Sequence, residues 1–249
     1  MMKPARRDAG KSKAKSGPDP VGTEGLELDA RRAQRVRSAE LLRGGRTPLE
    51  VVAVAETAAE LADQAMLKAV EQCPPRRPAA CREGCAWCCH KVVGTAAPEV
   101  LRIAQWLRHS LSAEELHALR ERVVRVDEQR KALRHDPWAA AHLACPLLDG
   151  ERCSVYELRP LTCRGYNSSD AAACQRSVTA RRRVEVPVYA PQNRLTTFVL
   201  DGMRAGLAEA GLHGDLLELT AALRIALAAP DVAERWLARE PVFAPARLP

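Results

Sequence analysis

The sequence predicts a mainly α-helical protein whose helices flank an irregular, cysteine-rich middle containing a small β-hairpin. Apolar residues recur at helical spacing before residue 73 and again after residue 193. Helix-start signatures stand at Thr47, Pro98 and Ser112. All nine cysteines fall between Cys73 and Cys174, where helical spacing is interrupted. With 249 residues, 47% apolar and 28% charged, the chain can bury a core without disulfide staples.

Residues 1–46 carry twelve Lys/Arg against six Asp/Glu, whereas the remainder is nearly neutral, so most of the net charge of +7 belongs to the leading segment. Its Gly, Pro and Ser content and lack of aromatics read as a basic disordered tail. Such a tail, with Lys3, Arg6, Arg7, Lys11, Lys13 and Lys15, is the only part suited to nucleic acid or an anionic surface. No run approaches the ~20 apolar residues of a membrane span. The opening residues lack the apolar stretch of a secretory signal, which points to a cytoplasmic protein without membrane partners.

Residues 47–230 form the expected helical domain, with 231–249 as a C-terminal extension. Thr47-Pro48-Leu49-Glu50 combines an N-cap, a proline at the first helical position and a capping-box glutamate. Val54, Ala58, Leu61 and Ala65 then trace one helical face as far as about residue 72, where Pro74-Pro75 stops it. Pro98 opens a second helix striped by Val100, Ala104, Leu107 and Leu111. Ser112-Ala-Glu-Glu115 opens a third, striped by Leu116, Leu119, Val123 and Val126. As an antiparallel hairpin, the outgoing helix covers ~20 Å and the return ~30 Å, so the chain comes back beside its start. Downstream, Asp149-Gly150 predicts a two-residue turn that sets Cys145 opposite Ser154 and Pro146 opposite Cys153. Val184, Val186 and Val188 alternate as a strand would. Leu195, Phe198, Gly202 and Gly206, then Leu216, Thr220, Leu223 and Leu227, restore helical spacing, with the two glycines permitting close helix packing.

An irregular stretch of some 55 residues inside a compact domain needs something to order it. The cysteines supply a candidate. In the first block, residues 81–90, Cys85 and Cys88 have the C-x-x-C spacing that turns two thiolates onto one ion. Cys81 lies within the ligand spacings of zinc sites, and Gly84 permits a tight turn beside it. Adjacent Cys88 and Cys89 leave the backbone in different directions, implying two metal positions, a bridged pair or a polynuclear cluster. The second block, residues 145–174, adds Cys145, Cys153, Cys163 and Cys174. Eight thiols suffice for two four-thiolate sites or for one cluster with ligands to spare. Soft thiolates select zinc, iron–sulfur clusters or copper(I) over magnesium or calcium. Each zinc held by four thiolates leaves a charge of −2, which Arg152, Arg159 and Arg164 are placed to offset. Cys73, set before Pro-Pro, reads as a non-ligand. His90 and His142 stand beside ligand cysteines but read as structural, and Trp87 and Trp138 as cover against water.

The strings CREGCAWCC and CPLLDGERCSVYELRPLTCRGYNS, within residues 81–167, resemble the YkgJ-type cysteine-cluster family, described as zinc- or iron-chelating proteins. The second string carries the greater specificity: Cys145-Pro146, Asp149-Gly150, Cys153, Tyr156-Glu157, Arg159-Pro160 and Cys163-Arg164 stand where the family has the same residues. The family's first motif is C-x-x-C-x-x-C-C, whereas three residues separate Cys81 from Cys85 here. The resemblance implies metal binding and brings Tyr156 into the set surrounding the ligands. Some larger proteins similar in this cluster are flagellin lysine methylases, which makes an iron–sulfur redox or group-transfer enzyme the alternative. The signatures of P-loop, dinucleotide-binding, zincin and serine-hydrolase sites are absent. A zinc-dependent nucleic-acid binder is the weakest reading, because the body is near neutral and aromatics make up only 4%.

Overall fold

Helix α2 (Pro48–Gln72) begins as its signature requires: the Thr47 hydroxyl accepts from the Leu49 amide at 3.3 Å, and the Glu50 carboxylate accepts from the Thr47 amide at 3.1 Å. The structure is a computed structural model describing residues 22–82, 84–133, 135–136, 143–180 and 183–248. Trp138, His142 and the basic residues from Lys3 to Lys15 lie outside the described residues. Val54, Ala58 and Ala65 are buried along α2 as their spacing foretells.

Residues 24–44, assigned by composition to the basic tail, instead form helix α1 (Glu24–Gly44), which packs along α7 (Ala190–Glu209). Its buried face is Glu27, Ala30, Gln34, Ser38 and Leu42, a helical stripe of mostly small and polar residues that hydrophobic periodicity does not register. The stripe is satisfied on contact. Gln34 Nε2 donates to Ser38 Oγ at 3.0 Å and to the Val54 carbonyl at 3.3 Å, and Glu27 accepts from Thr23 and Arg194 at 2.8 and 2.9 Å. Gly202 and Gly206 make the approach possible. A Cβ on either would collide with the Arg31 or Arg35 carbonyl oxygen, so the two backbones meet where α7 has no side chain.

Helices α3 (Ala97–Ser110) and α4 (Ala113–Ala132) start at the expected caps, with Ser112 and Glu115 forming the second capping box at 2.8 and 3.2 Å. They do not pack chiefly on each other. Both pack on α8 (Leu219–Ala228), whose Ala222, Leu223, Ala226 and Leu227 are fully buried. The stripe of α4 also departs from expectation. After Leu119 and Val123 it continues through buried Asp127 and Arg130 rather than Val126. These charges are paired: Asp127 with Lys131 and Arg224 at 2.6 and 2.9 Å, Arg130 with Glu218 and Thr220 at 2.6 and 2.9 Å.

Two strand pairs complete the framework. Gly94–Thr95 (β1) pairs antiparallel with Leu217–Glu218 (β4), and Leu148–Asp149 (β2) with Arg152–Cys153 (β3). The alternating valines form no strand. Residues 183–189 are irregular, and Val188 faces solvent with no strand beside it. Nor is 231–249 an appendage: α9 (Val232–Leu237) buries Trp236 to 1% exposure, Phe243 is buried, and Arg247 bridges to Leu217. No helix among the described residues is long and apolar enough to cross a membrane.

Candidate metal centre

The early cysteines lie on a tight backbone. Gly84 adopts φ +80, the Cys85 amide closes a turn on the Arg82 carbonyl at 3.0 Å, and Trp87–His90 forms a 3-10 turn carrying Cys88 and Cys89. The Trp87 and His90 rings stack across that turn with centroids 6.4 Å apart. Cys73 is buried at the C-cap of α2.

The late cysteines enter on the hairpin, in a different register from the one the Asp-Gly pair implies. Leu148 pairs with Cys153 and Asp149 with Arg152, so Gly150 and Glu151 occupy the turn. Gly150, at φ +58, takes the first central position, where a primed turn demands a positive φ. The shift frees Cys145 from the ladder, and its amide donates instead to the Cys89 carbonyl at 2.7 Å. That bond joins the two blocks directly. Helix α4 supports it from behind: Arg122 Nε donates to the Pro146 carbonyl at 2.7 Å, and Arg130 Nη2 reaches the Leu143 carbonyl at 3.5 Å.

Cys163 arrives on α5 (Leu161–Gly165), whose other residues are tied to the scaffold. The Leu161 amide donates to Glu99 at 2.6 Å, Thr162 Oγ1 donates to the Gly94 carbonyl at 2.6 Å, and Gln192 donates to the Arg164 carbonyl at 3.0 Å. Gly165 abuts Thr196 so tightly that a Cβ would not fit. Cys174 sits on α6 (Ala171–Thr179), which is N-capped by Asp170 and packs on the 87–90 turn. Ser168 links the ends of the segment: its carbonyl accepts from the Ala80 amide at 2.7 Å and from Cys81 Sγ at 3.8 Å, and its hydroxyl bonds the Cys174 thiol.

The thiols respond to this packing. Burial pushes the Cys163 thiol well up and Cys145 up to about 11, and it raises Cys153, Cys81 and Cys174. Cys88 and Cys89 form a hydrogen-bonded pair that favours the Cys88 thiolate and holds the proton on Cys89. Against burial, the Leu147 amide bonds Cys145 and the Val155 amide bonds Cys153, donors that favour the ionised sulfur.

Of the residues expected around the ligands, Arg159 is a cation that acts on the sulfurs, lowering Cys88, Cys81 and Cys153. Its guanidinium lies 3.6 Å from the centre of the half-exposed Tyr156 ring, and its Nε donates to the Tyr156 carbonyl at 2.9 Å. Tyr156 therefore lies against Arg159. Arg164 points elsewhere. It pairs with Asp63 of α2 at 3.0 Å and donates to the Glu157 and Arg159 carbonyls, clamping the loop rather than offering N–H groups to sulfur.

Lys91, Glu99 and Ser168 were not legible as site residues. Lys91 lies 5.3 Å from the Tyr166 ring centre and favours the Cys88 thiolate. Its place directly after the early block was the available signal. Glu99, fully buried, accepts from the Thr95 hydroxyl, the Ala96 amide and the Leu161 amide, so it caps α3 and anchors the Cys163 helix at once. Its position three residues beyond Ala96 suggested only the cap.

No disulfide joins the eight cluster thiols. Among the described residues, no three His, Cys, Asp or Glu side chains are gathered into a group that could hold a metal ion. The arrangement is a convergence of thiols, not a preformed cage. Its donor set nevertheless fits a soft or borderline cation: thiols from both blocks, amide donors on two of them, and Arg159, Lys91 and Arg130 as nearby positive charges.

Neither the curated proteins nor the solved structures return a match to this chain. The match that does arise spans the segment just described: residues 80–184 match the CxxCxxCC family model, which is described as a putative zinc- or iron-chelating domain.

Proposed function

We propose that this protein chelates zinc or iron through thiolates of both blocks, with Cys81, Cys85, Cys88, Cys89, Cys145, Cys153, Cys163 and Cys174 as the ligand set. The carrying observation is the 2.7 Å bond from the Cys145 amide to the Cys89 carbonyl, which brings together cysteines far apart in sequence. When bound, the ion supplies the positive charge that draws protons off buried thiols and cross-links an otherwise irregular segment. The chain's own residues hold the sulfurs in reach: α4 through Arg122 and Arg130, α3 through Glu99, and α6 through the packing that presents Cys174. Arg159 and Lys91 offset the excess negative charge of the thiolates.

Metal analysis with a visible spectrum of anaerobically purified protein tests this reading. Stoichiometric zinc or iron, lost in Cys88→Ser and Cys153→Ser, is the expected result. A protein that takes up neither metal, or one whose serine variants retain all of it, overturns it. Brown colour with acid-labile sulfide would specify an iron–sulfur cluster, whereas a colourless zinc protein would remove that alternative.

A further inference from the structure

We propose that α1 is a homodimer face, pairing antiparallel with the α1 of a second copy of this chain about a two-fold axis through Val36.

Helix α1 has two sides of opposite character. Glu27, Ala30, Gln34 and Ser38 turn inward, and the charges on and beside that face are matched within the chain, Glu27 with Arg194 and Arg35 with Glu209. Asp29, Arg32, Val36, Glu40 and Arg43 follow one another at spacings of three and four, so they form one stripe on the opposite side, and all five are exposed. Among the described residues, none of the four charges on this stripe has an ion pair or side-chain hydrogen bond within the chain. The stripe borders an open groove of ≈ 540 Å³ between α1 and α2, lined in part by Ala33 and Val36 of α1 and by Thr57 and Leu61 of α2. Its charged lining is balanced, Asp29 and Glu40 against Arg32 and Arg37, so a strongly basic or strongly acidic occupant gains little there.

The order of the charges selects a second copy. Along the stripe it runs acid, base, valine, acid, base. In an antiparallel pair centred on Val36, position 29 falls opposite 43 and position 32 opposite 40. Asp29 then meets Arg43 and Arg32 meets Glu40, each twice by symmetry, around a contact between the two Val36 side chains. Parallel pairing would set every charge against its own copy. An antiparallel pair centred between Gln34 and Arg35 would set Asp29 against Glu40 and Arg32 against Arg37. Only the register through Val36 pairs all four charges. Val36 is 40% exposed in the single chain, and Ala33 and Leu61 supply apolar surface beside the axis.

The 249-residue chain, kept reduced and studied with and without a chelator, is followed by sedimentation equilibrium across a range of concentrations at low and high salt. A reversible monomer–dimer equilibrium is expected in both media, weaker at high salt because exposed ion pairs are screened. Arg32→Glu and Glu40→Arg should each raise the dissociation constant about tenfold, since each turns two attractive pairs into repulsive ones. The combined Arg32→Glu and Glu40→Arg variant should return it close to the starting value. Val36→Lys, which sets like charges on the axis, should abolish association. The substituted positions are exposed, so thermal unfolding followed by circular dichroism should be unchanged, which separates lost association from lost fold. A chain that stays monomeric at every concentration overturns the proposal, as does a dimer indifferent to these substitutions. A dimer that disappears with the chelator is bridged by metal and overturns it too. Weakening by both single charge reversals without recovery in the combined variant overturns the antiparallel register.

Discussion

The helical body and the cysteine segment are held together by different means. Between α1 and α7 the contact is backbone against backbone at Gly202 and Gly206, and around α8 it is Ala and Leu packed without exposure. In the cysteine segment outside α3 and α4, apolar anchoring is confined to residues such as Leu147, Val155 and Leu161, and the blocks are joined to each other by polar bonds: Ala80 to Ser168, Cys145 to Cys89, Leu161 to Glu99 and Asn167 to Tyr189. Close packing is intolerant of added volume but indifferent to pH and metal. Isolated polar bonds over irregular backbone are easily opened, and they leave room for an ion to tighten the arrangement. The comparison teaches where metal dependence should appear: in the segment and not in the body.

Gly206→Val should produce the largest loss, about 3 kcal/mol, because the new side chain drives into the Arg35 carbonyl and the Ser38 side chain. Measured by chemical denaturation, that loss should leave metal stoichiometry unchanged wherever the variant remains folded. A metal defect in this variant would break the contrast between the regions.

Glu99→Ala should cost about 2 kcal/mol by stranding the Leu161 and Ala96 amides, and it should weaken metal binding as well, because Leu161 begins the helix of Cys163. Its titration gives a second handle. Burial outweighs the hydrogen bonds and raises the Glu99 carboxyl above its ordinary value, so the folded state binds the proton more tightly than the unfolded chain. The resulting stabilisation is fully present below the ordinary carboxylate pKa and is lost as pH rises through the raised value. Denaturation across that range should show the loss in the unaltered protein and lack it in Glu99→Gln.

The smallest effect belongs to Tyr156→Leu, which removes the ring beneath Arg159 at a half-exposed position and should cost about 0.5 kcal/mol. A weakened metal affinity with nearly unchanged thermal stability would sharpen the view that Tyr156 acts by orienting Arg159. No change in affinity would remove Tyr156 from the site.

The starts of α2, α3 and α4 were legible because a capping signature is local: Thr47 with Glu50, Pro98 in the first turn and Ser112 with Glu115 each act within one turn of helix. The hairpin was legible as an element but not in register, since Gly150 can stand first or second in a two-residue turn and Cys145's bond to Cys89 supports the observed choice. Arg164 read as a sulfur partner from its place beside Cys163. Asp63, far away in sequence, gives it another role. Helix α1 was hidden because Glu27, Gln34 and Ser38 become a buried face only against a partner that satisfies them.

By itself, then, the sequence determined the capped helices, the confinement of thiols to one segment and the softness of the donor set, because these depend on residue type and short spacing. Only the tertiary structure decided which cysteines neighbour one another, that Arg159 rather than Arg164 faces them, and that α1 belongs to the body. Those outcomes depend on contacts between residues distant along the chain, and short-range pattern holds no record of them.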